Sequence, residues 1–148
     1  MKKNRNFKQG IFSPKHPEKY RGTFPITYRS GWECKCMLMF DHNPNIITWG
    51  SETVVIPYPN PLTGRISRYF TDFNIIMKDK NGEFKKFLIE IKPHSQTIPP
   101  VQKNRNNKTL MRQQAEYIKN QAKWKAATEY SKSHGCQFVI LTEKHLNM

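Results

Sequence analysis

Nowhere does the sequence offer the run of about 20 apolar residues that a membrane-spanning helix needs, so a membrane is not an expected partner. No apolar stretch follows the basic Met1–Lys8, and a secretory signal is not expected either. Cysteine is scarce: Cys34, Cys36 and Cys136 form no Cys-x-x-Cys pair and have no histidine companions at zinc-ligand spacing. Free thiols in a reducing cytoplasm are the expectation. Acid is scarce as well. Eleven Asp and Glu against 25 Lys and Arg leave a formal net charge of +14 over 148 residues. A field of that sign draws polyanions, and displacing counterions from phosphates is the main sequence-independent source of DNA affinity. DNA, held through its backbone phosphates, is the expected partner.

Apolar residues make up 36% of the chain and are clustered in runs such as Thr53–Tyr58, Phe87–Ile91 and Gln137–Thr142. Such clustering predicts one compact core under a charged skin rather than a disordered chain. Residues 1–25 read as a basic arm punctuated by Pro14, Pro17 and Pro25, either a solvating tail or a strap on DNA. Residues 26–148 read as the folded domain.

Within that domain Ser30 caps a helix expected to run to about His42, with Glu33 three residues on. Strands are expected at Ile46–Trp49 and Thr53–Tyr58, followed by a turn at Asn60–Gly64. Arg65–Lys78 reads as one longer strand, turned back by a tight Asn81-Gly82 hairpin into Glu83–Lys92. After a polar connection, Leu110–Ser131 is the longest helix, with Met111, Ala115, Ile118 and Ala122 at core-facing spacing. Cys136–Thr142 is the last strand. The order predicts an α/β fold, a mixed central sheet with a central hairpin flanked by helices.

Alternation along the returning strand sets Leu88, Glu90 and Lys92 on one side and Phe87, Ile89 and Ile91 on the other. Glu90 is thus an acid inside an apolar strand, where an unpaired charge is costly. Asp72 in Tyr69-Phe70-Thr71-Asp72-Phe73 is a second acid among aromatics, and the hairpin brings it to the same sheet end. Two carboxylates and a strand carbonyl, that of Ile91, would make a pocket for a hard divalent cation. Lys92 would then stand beside it, to handle an attacking water or stabilise charge on a phosphate. A surface salt bridge between Glu90 and Lys92 is the ordinary alternative. For Glu33, position alone leaves a capping role and metal ligation equally open.

An acid on the first helix, then Asp, then Glu-x-Lys at a hairpin resembles the PD-(D/E)xK nuclease superfamily, which includes restriction enzymes, junction resolvases and a transposase nuclease subunit. The blocks Tyr28–Glu33, Arg68–Phe73, Ile89–Pro93 and Asn120–Ala127 are more specifically similar to the head completion nucleases of T4-like tailed phages, over about Pro14 to Glu143. The resemblance implies a restriction-endonuclease-like core, Glu33, Asp72 and Glu90 as Mg²⁺ ligands with Mn²⁺ as a substitute, and Lys92 as catalytic. It also implies work after DNA packaging, in the host cytoplasm or on the virion, with portal or neck proteins nearby. One departure is Thr71, where the superfamily has proline before the aspartate.

Several further residues are DNA-contact candidates. Arg29 and Arg68 flank the acids, and His94 follows Lys92-Pro93. Lys103 and Arg105 lie in a polar loop. Asn120 and Lys123 share a stripe of the long helix with Glu116, where a solvated face is equally open, and Gln113 and Gln114 are weaker candidates. Trp32, Trp49 and Trp124 are expected to pack rather than stack on bases.

Overall fold

The computed structural model describes residues 9–101 and 107–146. Four strands form the central sheet in the order β3 (Ile46–Ser51), β6 (Phe73–Lys78), β7 (Phe84–Ile91) and β8 (Cys136–Leu141). The first three are antiparallel neighbours, and β8 runs parallel to β7. A parallel return needs a long crossover, and the 27-residue α2 (Asn107–Ser133) supplies it. The sheet is therefore mixed, as expected.

Alternation then divides the core. Phe87, Ile89 and Ile91 of β7 face α1 (Gly31–His42), in a cluster with Phe40, Trp49 and Phe73. Leu88 faces the other way, against Trp124 and Ala127 of α2. The second layer is completed by a separate hairpin, β4 (Val55–Asn60) with β5 (Arg65–Phe70), whose Ile56, Tyr58 and Tyr69 reach the same cluster. Among the described residues no helix is long and apolar enough to cross a membrane, and the three cysteines are free thiols.

Four expectations are corrected. Residues 65–78 are two strands, not one: β5 pairs with β4 and β6 pairs with β3, so the ribbon changes sheet at Thr71-Asp72. The opposite strand breaks at the same level, where Glu52 takes a left-handed φ of 56° and its N–H donates to the Asp72 carbonyl at 3.0 Å. The β6–β7 connection is a five-residue loop rather than a tight primed turn. Asp79 Oδ1 accepts the Asn81 and Glu83 amides at 2.9 Å each, and only Gly82 has positive φ.

The buried stripe of α2 is Asn120, Trp124, Ala127 and Ser131, whereas Met111 and Ile118 are exposed. Its polar members hide the stripe from a count of apolar spacing. Finally, part of the stretch expected as an arm is folded: β1 (Gly10–Phe12) pairs with β2 (Ile26–Tyr28), and Phe12 and Tyr20 are buried beside Trp49. Met1–Lys8 lies outside the described residues.

Candidate active site

Strand register brings the two central acids together. Phe73 is paired with Ile89, so Asp72, the next residue outward, comes level with Glu90. Because the chain bends there, Asp72 sits at the sheet corner, and its Oδ2 accepts the Ile91 N–H at 2.8 Å. Burial and then the Glu90 charge push its carboxyl up to about 7; the Ile91 amide and the Lys92 ammonium pull the other way.

Glu90 lies on the α2 side of β7 and is 6% exposed. One oxygen is held by the Tyr69 hydroxyl, which donates at 2.6 Å, and the other stands 3.4 Å from Lys92 Nζ. The Tyr69 phenol is held well above its usual range by burial and the Glu90 charge, so it stays a donor. Lys123 Nζ lies 5.4 Å from the centre of the Tyr69 ring, and its pKa is lowered by burial and then by neighbouring Lys119. The period-2 pattern thus places Glu90 and Lys92 on one face, as expected, and in contact.

Glu33 takes the capping role that its position allows. Its N–H donates to Ser30 Oγ at 3.1 Å, and its carboxylate accepts the Arg29 N–H at 2.9 Å, closing the helix N-terminus. Its charge also reaches Asp72 and raises that pKa further. Yet among the described residues no three Asp, Glu, His or Cys side chains are grouped closely enough to hold a metal ion. The compact pair is Asp72 with Glu90.

The other candidates disperse. The Arg29 guanidinium is paired with Glu52. Arg68 lies on the exposed side of β5, its guanidinium 5.7 Å from the Phe70 ring, on the opposite face from Tyr69. His94 begins a 3-10 turn just past Lys92, its N–H donating to Glu143 at 2.9 Å. Asn120 is buried at 2% exposure, one turn before Lys123 and Trp124. Gln113 borders a cavity beside Asn120. Trp49 and Trp124 are buried in the two clusters and Trp32 packs against the first, as expected. Lys103 and Arg105 lie outside the described residues.

Sequence reading missed Tyr69 as a partner of Glu90. A tyrosine that packs inward from a strand is a signal, because its buried hydroxyl needs a polar neighbour. Only the packing of the hairpin against α2 shows that the neighbour is Glu90.

Residues 43–143, the stretch that holds Asp72, Glu90, Lys92 and Lys123, match the family described as TnsA-like endonuclease N terminal. The chain is also 44% identical over 142 residues to the head completion nuclease of Enterobacteria phage T4, covering 93% of this chain and 92% of that one. No solved structure gives a significant match. A restriction-endonuclease-like mixed sheet, the paired acids at its corner and these similarities agree: the chain belongs to the family of TnsA-like endonuclease N-terminal domains.

Proposed function

We propose that the chain is a divalent-cation-dependent DNA endonuclease that hydrolyses phosphodiester bonds, acting on DNA ends or branches as a phage head is completed after packaging. The observation that carries this reading is the pair Asp72 and Glu90 at one sheet corner: Asp72 is made harder to ionise by burial and by the Glu90 charge, and Lys92 stands against Glu90. Such a pair fits a divalent cation, whose charge would favour the ionised form of Asp72. Hard oxygen donors suit Mg²⁺, with Mn²⁺ as a substitute. Asp72, Glu90 and the Ile91 carbonyl would hold it, and Glu33 would add negative charge from the start of α1. Bound there, the ion supplies a Lewis acid for the phosphate and an acidified water.

The chain's own groups do the rest. Lys92, held at Glu90, positions the water or stabilises the charge that builds on the phosphate. Tyr69 fixes one oxygen of Glu90 so that the other can turn to its task. Lys123, partly desolvated over the Tyr69 ring, draws a backbone phosphate toward the corner.

The stage of action rests on the phage T4 relative, whose name places it at head completion and whose length this chain covers almost fully. The same stage for this chain puts it in the host cytoplasm during assembly, beside portal or neck proteins. The TnsA-like family supports a second reading with the same chemistry, a transposase partner or junction resolvase. A third is a basic head protein that binds DNA without cutting.

Linear, nicked and branched DNA incubated with the protein in Mg²⁺, Mn²⁺ or a chelator separates these readings. Cation-dependent cutting that Glu90→Ala abolishes supports the first, and a strict demand for four-way junctions would move it to the second. No cutting under any cation, with no cation effect on Tm, supports the third.

A further inference from the structure

A cavity of ≈ 570 Å³ is walled on one side by the chain from Ser95 to Val101, which follows Lys92-Pro93, and on the other by the first half of α2. Its apolar lining includes Ile98, Pro99, Pro100, Val101 and Tyr117. Its polar lining includes Asn120 and Arg112. Asn120 is 2% exposed, yet its amide has no hydrogen-bond partner among the described residues. An amide on a cavity wall, with no partner of its own, is open to whatever enters the cavity. Arg112 likewise has no acidic partner among the described residues, while Glu116 on the rim stands 3.5 Å from Lys119.

We propose that this cavity receives an unpaired nucleotide next to the bond to be cut, so that the favoured substrate is DNA carrying a single-stranded end or flap. This rests on the nuclease reading above. A ligand pocket of this size holds a nucleotide, and a lining that includes two prolines and a tyrosine suits the flat face of a base. The Asn120 amide offers one donor edge and one acceptor to a base edge, and Arg112 offers a cation to its phosphate.

Position makes the cavity part of the same substrate path. Its wall continues from Lys92-Pro93, and Asn120 precedes by one turn the Lys123 that lies over Tyr69. A base inside a duplex reaches such a pocket only after unstacking, whereas an unpaired one enters at little cost. The lone arginine and the +14 chain favour a nucleic acid over a segment of a head protein.

The test uses a fluorescent adenine analogue placed either at the unpaired position of a flap or inside the duplex, with the full chain and no metal, so that binding is read without cutting. Fluorescence should be quenched at the unpaired position only, and Tyr117→Ala should remove most of that quenching. In Mg²⁺, the ratio of kcat/KM on flap DNA to kcat/KM on continuous duplex should fall about tenfold in Tyr117→Ala. Arg112→Ala, at an exposed position that does not threaten the fold, should shift the ratio the same way. Quenching without any cutting supports the subsite while sinking the nuclease reading. Cutting with equal quenching at both positions overturns the subsite, as do variants that slow both substrates alike, and the cavity then falls to a protein segment.

Discussion

The Tyr69 hydroxyl and Glu90 Oε1, 2.6 Å apart, join two separate sheets: Tyr69 belongs to the β4–β5 hairpin and Glu90 to the central β7. Both residues are buried. Such a bond to a carboxylate contributes about 1.5–3 kcal/mol, and it also sets which oxygen of Glu90 remains for other partners. Tyr69→Phe keeps the ring under Lys123 and removes only the donor. It should lower Tm by several degrees and slow cleavage about tenfold. Thermal melts and single-turnover rates on one preparation check this; an unchanged rate would reduce Tyr69 to a packing residue.

Glu33→Gln separates its two roles, because the amide oxygen still accepts the Arg29 N–H while the charge near Asp72 is lost. The expected result is an unchanged Tm and cleavage slower by about 10–100-fold. If cleavage is unaffected, Glu33 only caps α1.

The metal-free protein should lose stability as the pH rises from about 4 to about 7. Burial and the Glu90 charge raise the Asp72 carboxyl from the ordinary 3.8 to about 7 in the folded protein, so its favourable contribution belongs to the protonated form. That contribution is complete below the unfolded pKa and is lost as pH passes through the folded one. Asp72→Asn should flatten this slope, and Mg²⁺ should raise Tm more at pH 8 than at pH 5. A Tm that climbs with pH over this window in the metal-free parent, but not in Asp72→Asn, would contradict the assignment.

Lys123 and Arg68 should differ in DNA binding. Lys123 is turned toward the acid pair over the Tyr69 ring, whereas Arg68 lies on the opposite hairpin face over Phe70. Lys123→Gln should weaken binding and reduce the slope of log K against log salt by about 1, the loss of one phosphate contact. Arg68→Gln should leave that slope in place. Equal effects would mean that DNA spans both faces of the hairpin.

Much of the site was legible because it depends on local rules. Two-residue alternation put Glu90 and Lys92 on one face, and a Ser-x-x-Glu pattern marked the start of α1 at Ser30. The break at Thr71-Asp72 was not legible, since no proline or glycine marks it; it is made by pairing with two different strands and by the bend at Glu52 opposite. Burial of Phe12 and Tyr20 depends on contacts with Trp49, far along the chain, so a basic proline-rich stretch concealed it. Asn120 shows the same limit, because only the packed helix reveals a buried amide on a core stripe.

The most direct test of the central claim is the single-turnover cleavage rate of one DNA substrate in Mg²⁺ by the parent, Asp72→Asn and Lys92→Ala. Each variant is first shown to fold and to bind that DNA in the absence of metal. The account predicts that both variants lose about 10³-fold or more in rate, and that a chelator silences the parent. Variants that cut within a few-fold of the parent, or a parent indifferent to the chelator, would place the chemistry elsewhere than at the Asp72–Glu90 corner.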